Sequence, residues 1–216
     1  MSCLRIGHGG ASALAPANTI AAFDAAVDVG IDMLEFDVRE HRGELVLAHT
    51  PFDARWRRSV RLADALRHLS GRRFADVHLN VDLKRFGCEP ALLDALAHAG
   101  LLDRTLISSQ VPAIIDRVRA LEPRVATGIS VGGRVNRLGR RWGDWQDRVL
   151  GGLVARRWDA LMAQHKLITP GLLEAVSERG GSLYAWTVNE RPLISQLRGL
   201  GVHGITTADP RLFAPF

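Results

Sequence analysis

The chain has 216 residues, of which 47% are hydrophobic and 24% are charged, and it contains two cysteines. This composition excludes a disordered tail, a collagen-like repeat and a disulfide-stapled scaffold, and it predicts one domain with a substantial core. The formal net charge is +5, and 26 of the 28 cationic residues are arginines. A basic balance favours anionic partners, although a compositional bias of the source genome would produce the same excess.

The ends and the apolar runs of the chain indicate its compartment. The N-terminal residues lack the apolar segment of a signal peptide, and no apolar run reaches the length of a membrane span. The two cysteines, Cys3 and Cys88, provide neither a disulfide framework nor a zinc site. We therefore expect a cytoplasmic protein.

Short runs typical of strands alternate with amphipathic runs typical of helices. The predicted strands lie at Leu4–His8, 33–39, 77–84, Thr105–Ser109, 125–131, 160–165, 183–188 and Gly204–Thr207, and the main predicted helices at 18–29, Glu89–His98, 111–121, 171–179 and Arg191–Leu200. This alternation predicts a parallel sheet, and eight units predict a (β/α)8 TIM barrel. We expect one compact domain over residues 1–216, without an inserted domain and with a short or absent last helix. A doubly wound open sheet is the alternative.

Ionisable side chains cluster at the carboxyl-terminal ends of the first three predicted strands and after an extended run at 44–48. They are His8, Glu35, Asp37, Arg39, His49, Asp82 and Lys84. In a barrel this end carries the catalytic residues. Because side chains alternate across a strand, the three polar residues of the second strand share one face, as do the two of the third.

The carboxylates Glu35, Asp37 and Asp82 would repel one another unless a positive charge lies among them. A divalent cation satisfies this requirement, and an all-oxygen donor set suits Mg²⁺ or Ca²⁺ better than Zn²⁺. A buried ion-pair network with Lys84 and Arg39 is the alternative interpretation.

Two histidines, His8 and His49, flank the acidic cluster in sequence order. Near a metal site, two histidines fit a general acid and a general base for the cleavage of a phosphoester. For either one alone, an ordinary histidine without a catalytic role is the alternative.

Eight segments between residues 6 and 210 form a recognisable series. They are Ile6-Gly-His-Gly-Gly-Ala-Ser, Ala15-Pro-Ala-Asn-Thr-Ile-Ala-Ala-Phe, Gly30-Ile-Asp-Met-Leu-Glu-Phe-Asp-Val, Leu47-Ala-His, Val81-Asp-Leu-Lys, Ser108-Ser, Ala185-Trp-Thr-Val-Asn and Gly201-Val-His-Gly-Ile-Thr-Thr-Ala-Asp-Pro. In this order the segments resemble the glycerophosphodiester phosphodiesterase family. The resemblance covers nearly the whole chain, and its first block and the Trp-Thr-Val-Asn block are fairly specific.

The resemblance implies a (β/α)8 barrel that hydrolyses small glycerophosphodiesters, or a related lysophospholipid, to glycerol phosphate and an alcohol with Ca²⁺ or Mg²⁺. The implied roles are metal ligation by Glu35, Asp37 and Asp82, acid–base catalysis by His8 and His49, phosphate binding by Lys84, and a pocket wall formed by Trp186. Which histidine is the acid is left open by the sequence, and we favour His49.

The chain departs from the family pattern at four positions. Gly9 replaces an arginine, Ala17 and Thr50 replace acidic residues, and Asp82 stands where the family has a glutamate. Since an arginine is a bidentate phosphate donor, we expect Arg39 to supply a replacement guanidinium for substrate binding. These departures also motivate an alternative function, a degenerate barrel that binds a phosphorylated ligand without turnover.

A segment at 134–158 breaks the strand–helix rhythm, because it contains seven arginines interleaved with three tryptophans. Helical spacing within 137–148 makes weak contact with an anionic membrane surface one hypothesis. A solvated helix that packs its tryptophans on the barrel is the alternative. No recognition motif for nucleic acid is present, so we expect no nucleic-acid partner.

Overall fold

A computed structural model describes residues 3–56, 59–132 and 140–214. The strands are β1 (Leu4–His8), β2 (Met33–His41), β3 (Glu44–Leu47), β4 (His78–Leu83), β5 (Thr105–Ser109), β6 (Ala126–Val131), β7 (Ala160–Gln164), β8 (Ser182–Trp186) and β9 (Gly204–Thr207). All of them except β3 run parallel to their neighbours, and β1 pairs with both β2 and β9. The eight parallel strands therefore close into a barrel, which confirms the predicted fold and excludes the open sheet.

The helices lie between the strands on the outside of the barrel. They are α1 (Ile20–Val29), α2 (Pro51–Trp56), α3 (Leu62–Leu69), α4 (Glu89–His98), α5 (Pro112–Leu121), α6 (Arg140–Val154), α7 (Pro170–Ser177) and α8 (Arg191–Leu200). A single 3₁₀ turn, Pro210–Phe213, follows β9 and takes the place of a last helix. None of the helices in the described part of the chain combines the length and apolarity needed to cross a bilayer.

The core has an outer layer, in which strand residues pack under the helices, and an inner layer that fills the barrel. Phe23 of α1 and Phe36 of β2 are fully buried in the outer layer, with their rings 5.4 Å apart. The inner layer consists of Ile6, Met33, Leu106, Ala160, Met162 and Tyr184. Each large side chain that becomes fully buried stabilises the fold by about 1.5–3 kcal/mol.

The first β–α connection is held in place by capping interactions at both ends of α1. The Thr19 hydroxyl accepts a hydrogen bond from the Ala22 amide, and the helix ends at Gly30, whose φ is 85°. Such a side-chain cap satisfies an amide that the helix itself leaves unpaired. Because α1 begins at a fixed point, Asn18 is held against the barrel mouth.

Candidate active site

A cavity of about 270 Å³ lies at the carboxyl-terminal ends of the barrel strands. Its lining consists of His8, Glu35, Asp37, His49, Asn80, Asp82, Lys84, Ser108, Gln110, Ser130, Met162, Trp186, Thr187 and Thr206. Seven of the eight site residues predicted from the sequence are therefore brought together, and Arg39 is the exception.

Strand register places the three carboxylates next to one another. Asp37 of β2 pairs with Asp82 of β4, while Glu35 lies two residues earlier on β2. One oxygen from each of the three lies within 4.8 Å of the others. Oδ1 of Asp82 is buried and has no hydrogen-bond partner. An all-oxygen cluster with a buried, unpartnered carboxylate oxygen fits a divalent cation.

Lys84 already neutralises part of this charge. Its Nζ lies 2.7 Å from Oδ1 of Asp37 and 2.5 Å from Oδ2 of Asp82. Burial alone would lower the pKa of Lys84, but the two carboxylates hold it above the ordinary value. Burial raises the pKa of Asp82, with Lys84 opposing the shift. Lys84 thus forms part of the ion-pair network considered above, and Arg39 does not join it.

The other two carboxylates are fixed by residues of the first β–α connection. The Gly9 amide donates to Oε2 of Glu35 at 2.9 Å. Burial, and then the charge of Asp37, raise the pKa of Glu35 well above its usual range. Asn18 donates from Nδ2 to Oδ2 of Asp37 at 2.9 Å, and its Oδ1 accepts from the Asp37 amide at 3.0 Å.

Asn18 is therefore a site residue that the sequence analysis does not single out. It is one of the non-glycine residues with positive φ, at 62°. This conformation is one that asparagine tolerates better than most residues. The signal available in the sequence is its position in the Pro16-Ala-Asn-Thr segment, which is part of the resemblance described above.

The two histidines have different environments. Nε2 of His8 lies 4.0 Å from Oε2 of Glu35, and burial lowers the pKa of His8. Nδ1 of His49 lies 3.3 Å from Oδ1 of Asp37, and this hydrogen bond raises the pKa of His49. The His49 side chain is 61% exposed, at the mouth of the cavity. The neutral form is therefore favoured at His8 and the protonated form at His49.

Trp186 forms a wall of the cavity. Its Nε1 donates to the Met162 carbonyl at 2.8 Å, which fixes the plane of the indole. A Cβ at position 132 would lie 2.4 Å from the ring, so Gly132 provides the space that the ring occupies. The indole therefore has one well-defined position.

The departures from the family pattern have structural counterparts. Gly9 has a φ of 57°, and a Cβ added there would lie 2.9 Å from Cβ of Ala17. Two of the departures are thus in contact with each other. Thr50 donates its amide and hydroxyl to Asp53 at 3.0 and 2.7 Å. The ring of His49 has an orienting carboxylate in Asp37, although position 50 lacks one.

Arg39 lies beyond the barrel rim because β2 continues past the barrel to pair with β3, where Arg39 faces Val46. Its Nη2 donates to the main-chain carbonyl of His49 at 3.1 Å. The side chain lines a neighbouring cleft and not the cavity of the acidic cluster. The structure therefore does not bring Arg39 to the place where a scissile phosphate would meet the three carboxylates.

The arginine- and tryptophan-rich segment is described in part, since 133–139, with Arg134 and Arg137, lie outside the described residues. Trp145 of α6 is partly buried against the outer core. Trp158 is buried, and its Nε1 donates to the Val149 carbonyl at 3.1 Å. These two tryptophans pack on the barrel, as the alternative interpretation predicts.

The fold and the cavity define a class of protein, a closed (β/α)8 barrel with an acidic, histidine-flanked site at its catalytic end. The chain belongs to the glycerophosphoryl diester phosphodiesterase family, whose family model matches residues 8–79 and 84–212.

Individual relatives agree with this assignment. The chain is 26% identical to the glycerophosphodiester phosphodiesterase of Caldanaerobacter subterraneus subsp. tengcongensis, over 97% of this chain and 96% of that protein. A phosphodiesterase of Oleispira antarctica, solved with its product sn-glycerol-3-phosphate, superimposes with a TM-score of 0.77 at 21% identity, covering 97% and 94% of the two chains. A glycerophosphodiester phosphodiesterase of Parabacteroides distasonis gives 0.79 at 17%, covering 96% and 93%.

Proposed function

We propose that the protein hydrolyses glycerophosphodiesters, or a related lysophospholipid, to glycerol phosphate and an alcohol. Glu35, Asp37 and Asp82 would hold a divalent cation, Mg²⁺ or Ca²⁺. The observation that carries the proposal is the meeting of these three carboxylates, Lys84 and two histidines in one cavity of a barrel that belongs to this family. The glycerol phosphate product bound by the Oleispira antarctica relative supports the substrate class.

Each group in the cavity has a proposed role. The cation, when bound, supplies positive charge to the phosphate oxygens as a Lewis acid. The Lys84 ammonium adds to that charge from the side of Asp37 and Asp82. Trp186 lines the space for the organic part of the substrate.

The two histidines divide the proton transfers. His8, whose pKa is lowered by burial, accepts the proton of the nucleophile, which is water or a neighbouring hydroxyl of the substrate. His49, whose pKa is raised by its hydrogen bond to Asp37, donates a proton to the leaving alkoxide. The exposure of His49 at the mouth suits a leaving group that departs into solvent.

The experiment is a panel assay for glycerol phosphate release. Its substrates are glycerophosphocholine, glycerophosphoethanolamine, glycerophosphoinositol and a lysophospholipid, each tested with Ca²⁺, Mg²⁺, Mn²⁺ or EDTA. We expect turnover that EDTA abolishes. Tight binding of glycerol 3-phosphate without turnover under every cation would establish the alternative, a barrel that only binds its ligand.

The histidine roles are tested separately, with His8→Gln, His49→Gln and the matched control His98→Gln, whose side chain is exposed on α4. Both cavity variants should lose about 10²–10⁴-fold in rate on an alkyl ester, while the control keeps the parent rate. A p-nitrophenyl ester needs no proton on its leaving group, so it should rescue His49→Gln and not His8→Gln. The opposite rescue would reverse the assignment.

Weak contact of 134–158 with anionic membranes stays a prediction, as does a cytoplasmic location. Co-sedimentation with anionic vesicles tests the first, and cell fractionation tests the second. Trp145 and Trp158 pack on the barrel, so among the described side chains of the segment the arginines are the groups that would meet a membrane.

A further inference from the structure

A second cleft of about 380 Å³ opens beside the catalytic cavity, where β2 leaves the barrel rim. It is lined by Arg39, Glu40, His41, Arg42, Pro51, Ala54 and Arg85, and we call it the arginine cleft. It shares no lining residue with the catalytic cavity. We propose that the arginine cleft is a binding site for a phosphate-class anion, separate from the site of hydrolysis.

The charges of the arginine cleft leave positive charge uncompensated. Arg85 pairs with Glu40, and the same carboxylate accepts a hydrogen bond from the Gly43 amide at 2.7 Å. In the described ranges, no carboxylate pairs with Arg39 or with Arg42. A cleft that contains three guanidinium groups and one carboxylate attracts anions.

Arg39 carries the strongest part of the argument. Its Nε is buried and has no hydrogen-bond partner, and its Nη2 reaches only a neutral acceptor, the His49 carbonyl. The Arg39 side chain is half-buried, and a buried N–H donor without an acceptor is costly because it has lost its water. A phosphate in the cleft would compensate the charge of Arg39, and the planar guanidinium fits a phosphate in a two-bond geometry.

The arginine cleft also lies close to the place of catalysis. Arg39 is two residues beyond Asp37 on β2, which separates their Cα atoms by roughly 7 Å. On β4 and the loop after it, Arg85 directly follows Lys84. An anion in this cleft is therefore a near neighbour of the substrate. It could be a second acidic group of the substrate molecule itself.

Two exposed aromatic residues are sequence neighbours of residues that line the arginine cleft. Phe52, next to Pro51, is 66% exposed, and Phe86, next to Arg85, is 58% exposed. Aromatic side chains beside arginines are typical of surfaces that meet lipid headgroups. The phosphate group recognised here could thus come from a lipid headgroup or from a free phosphate, and the experiment separates the two sources.

The test measures binding of inorganic phosphate by isothermal titration calorimetry in the presence of EDTA. EDTA removes any cation that could join phosphate to the carboxylates of the catalytic cavity, and the difference between the parent protein and the test variant assigns the signal to the arginine cleft. The test variant is the double substitution Arg39→Gln, Arg42→Gln. The matched control is Arg67→Gln, Arg124→Gln, which removes the same charge from side chains that are 75% and 78% exposed elsewhere.

We expect the dissociation constant for phosphate to rise at least about tenfold in the test variant and less than about threefold in the control. If the parent protein binds phosphate, equal effects of the two double substitutions, or none, would overturn the proposal. If Arg39→Gln lowers the melting temperature sharply, Arg42→Gln alone gives the same comparison, because this side chain is exposed on a turn.

The second arm uses vesicles of phosphatidylcholine with and without phosphatidylglycerol. Vesicle binding that needs the anionic lipid and is lost in the test variant, without phosphate binding, identifies a lipid headgroup as the source. Phosphate binding alone identifies a soluble anion. If the test variant changes neither signal, the proposal is wrong, whatever the hydrolysis assay shows, since both readouts are independent of turnover.

Discussion

Gly9 has a backbone conformation that favours glycine, and its amide contacts the acidic cluster. Replacement of Gly9 by alanine tests how much this conformation and the space around it contribute to stability. The φ of Gly9 is 57°, and its amide donates to Glu35. A non-glycine residue in this left-handed conformation costs about 1–2 kcal/mol. The new Cβ would also lie 2.9 Å from Cβ of Ala17, a crowding that adds about 1–3 kcal/mol. We expect Gly9→Ala to lower the free energy of unfolding by about 2–5 kcal/mol in urea denaturation.

Two further variants separate the two contributions. Gly43 also has positive φ, at 82°, but a Cβ there meets nothing within 4 Å, so Gly43→Ala should show the conformational cost alone. Adding Ala17→Gly to Gly9→Ala should relieve the crowding and recover most of the stability lost to it. This recovery appears as a coupling energy in the double-mutant cycle. Equal losses for Gly9→Ala and Gly43→Ala, together with additive effects in the cycle, would refute the reasoning.

Three other predictions concern stability, the pocket wall and the cation. Asp32 accepts three hydrogen bonds from Arg5, which hold its pKa below the ordinary value. Asp32→Asn should therefore lower the free energy of unfolding by about 1 kcal/mol at pH 7. Thermal melts should show this difference vanish as the pH falls through the folded pKa of Asp32. Gly132→Ala would push a methyl group to 2.4 Å from the Trp186 ring, so steady-state kinetics should show kcat/KM about 10–100-fold lower; an unchanged value contradicts the proposed wall. Asp82→Asn should raise the cation concentration for half-maximal activity at least about tenfold, and an identical titration curve would remove Asp82 from the ligand set.

The barrel is predictable from the sequence because its strands are buried on both faces and therefore form short apolar runs. β4, predicted at 77–84 and found at His78–Leu83, shows how closely this pattern follows the structure. Helix α3 was not predicted, yet Leu62, Ala65, Leu66 and Leu69 have the spacing of a buried helical face. Helix α2 has six residues, too few for a helical period to show.

The acidic cluster and its histidines are predictable because each lies on a strand or just after one, where position along the chain fixes position in space. Asn18 is harder to predict, since its two hydrogen bonds to Asp37 depend on a positive φ in a loop. The place of Arg39 depends on β2 leaving the barrel to pair with β3. Strand alternation alone assigns Arg39 to the face of Glu35, and a hairpin beyond the rim changes that assignment.

The ammonium group of Lys84 has a consequence for the biogenesis of the protein. Lying between Asp37 and Asp82, it acts as a built-in counter-ion and relieves their repulsion while the chain folds. We therefore expect the chain to fold without a bound cation, in contrast to small zinc domains that are unfolded without their metal. Thermal melts of the protein with and without EDTA test this expectation, and a large fall of the melting temperature in EDTA would contradict it.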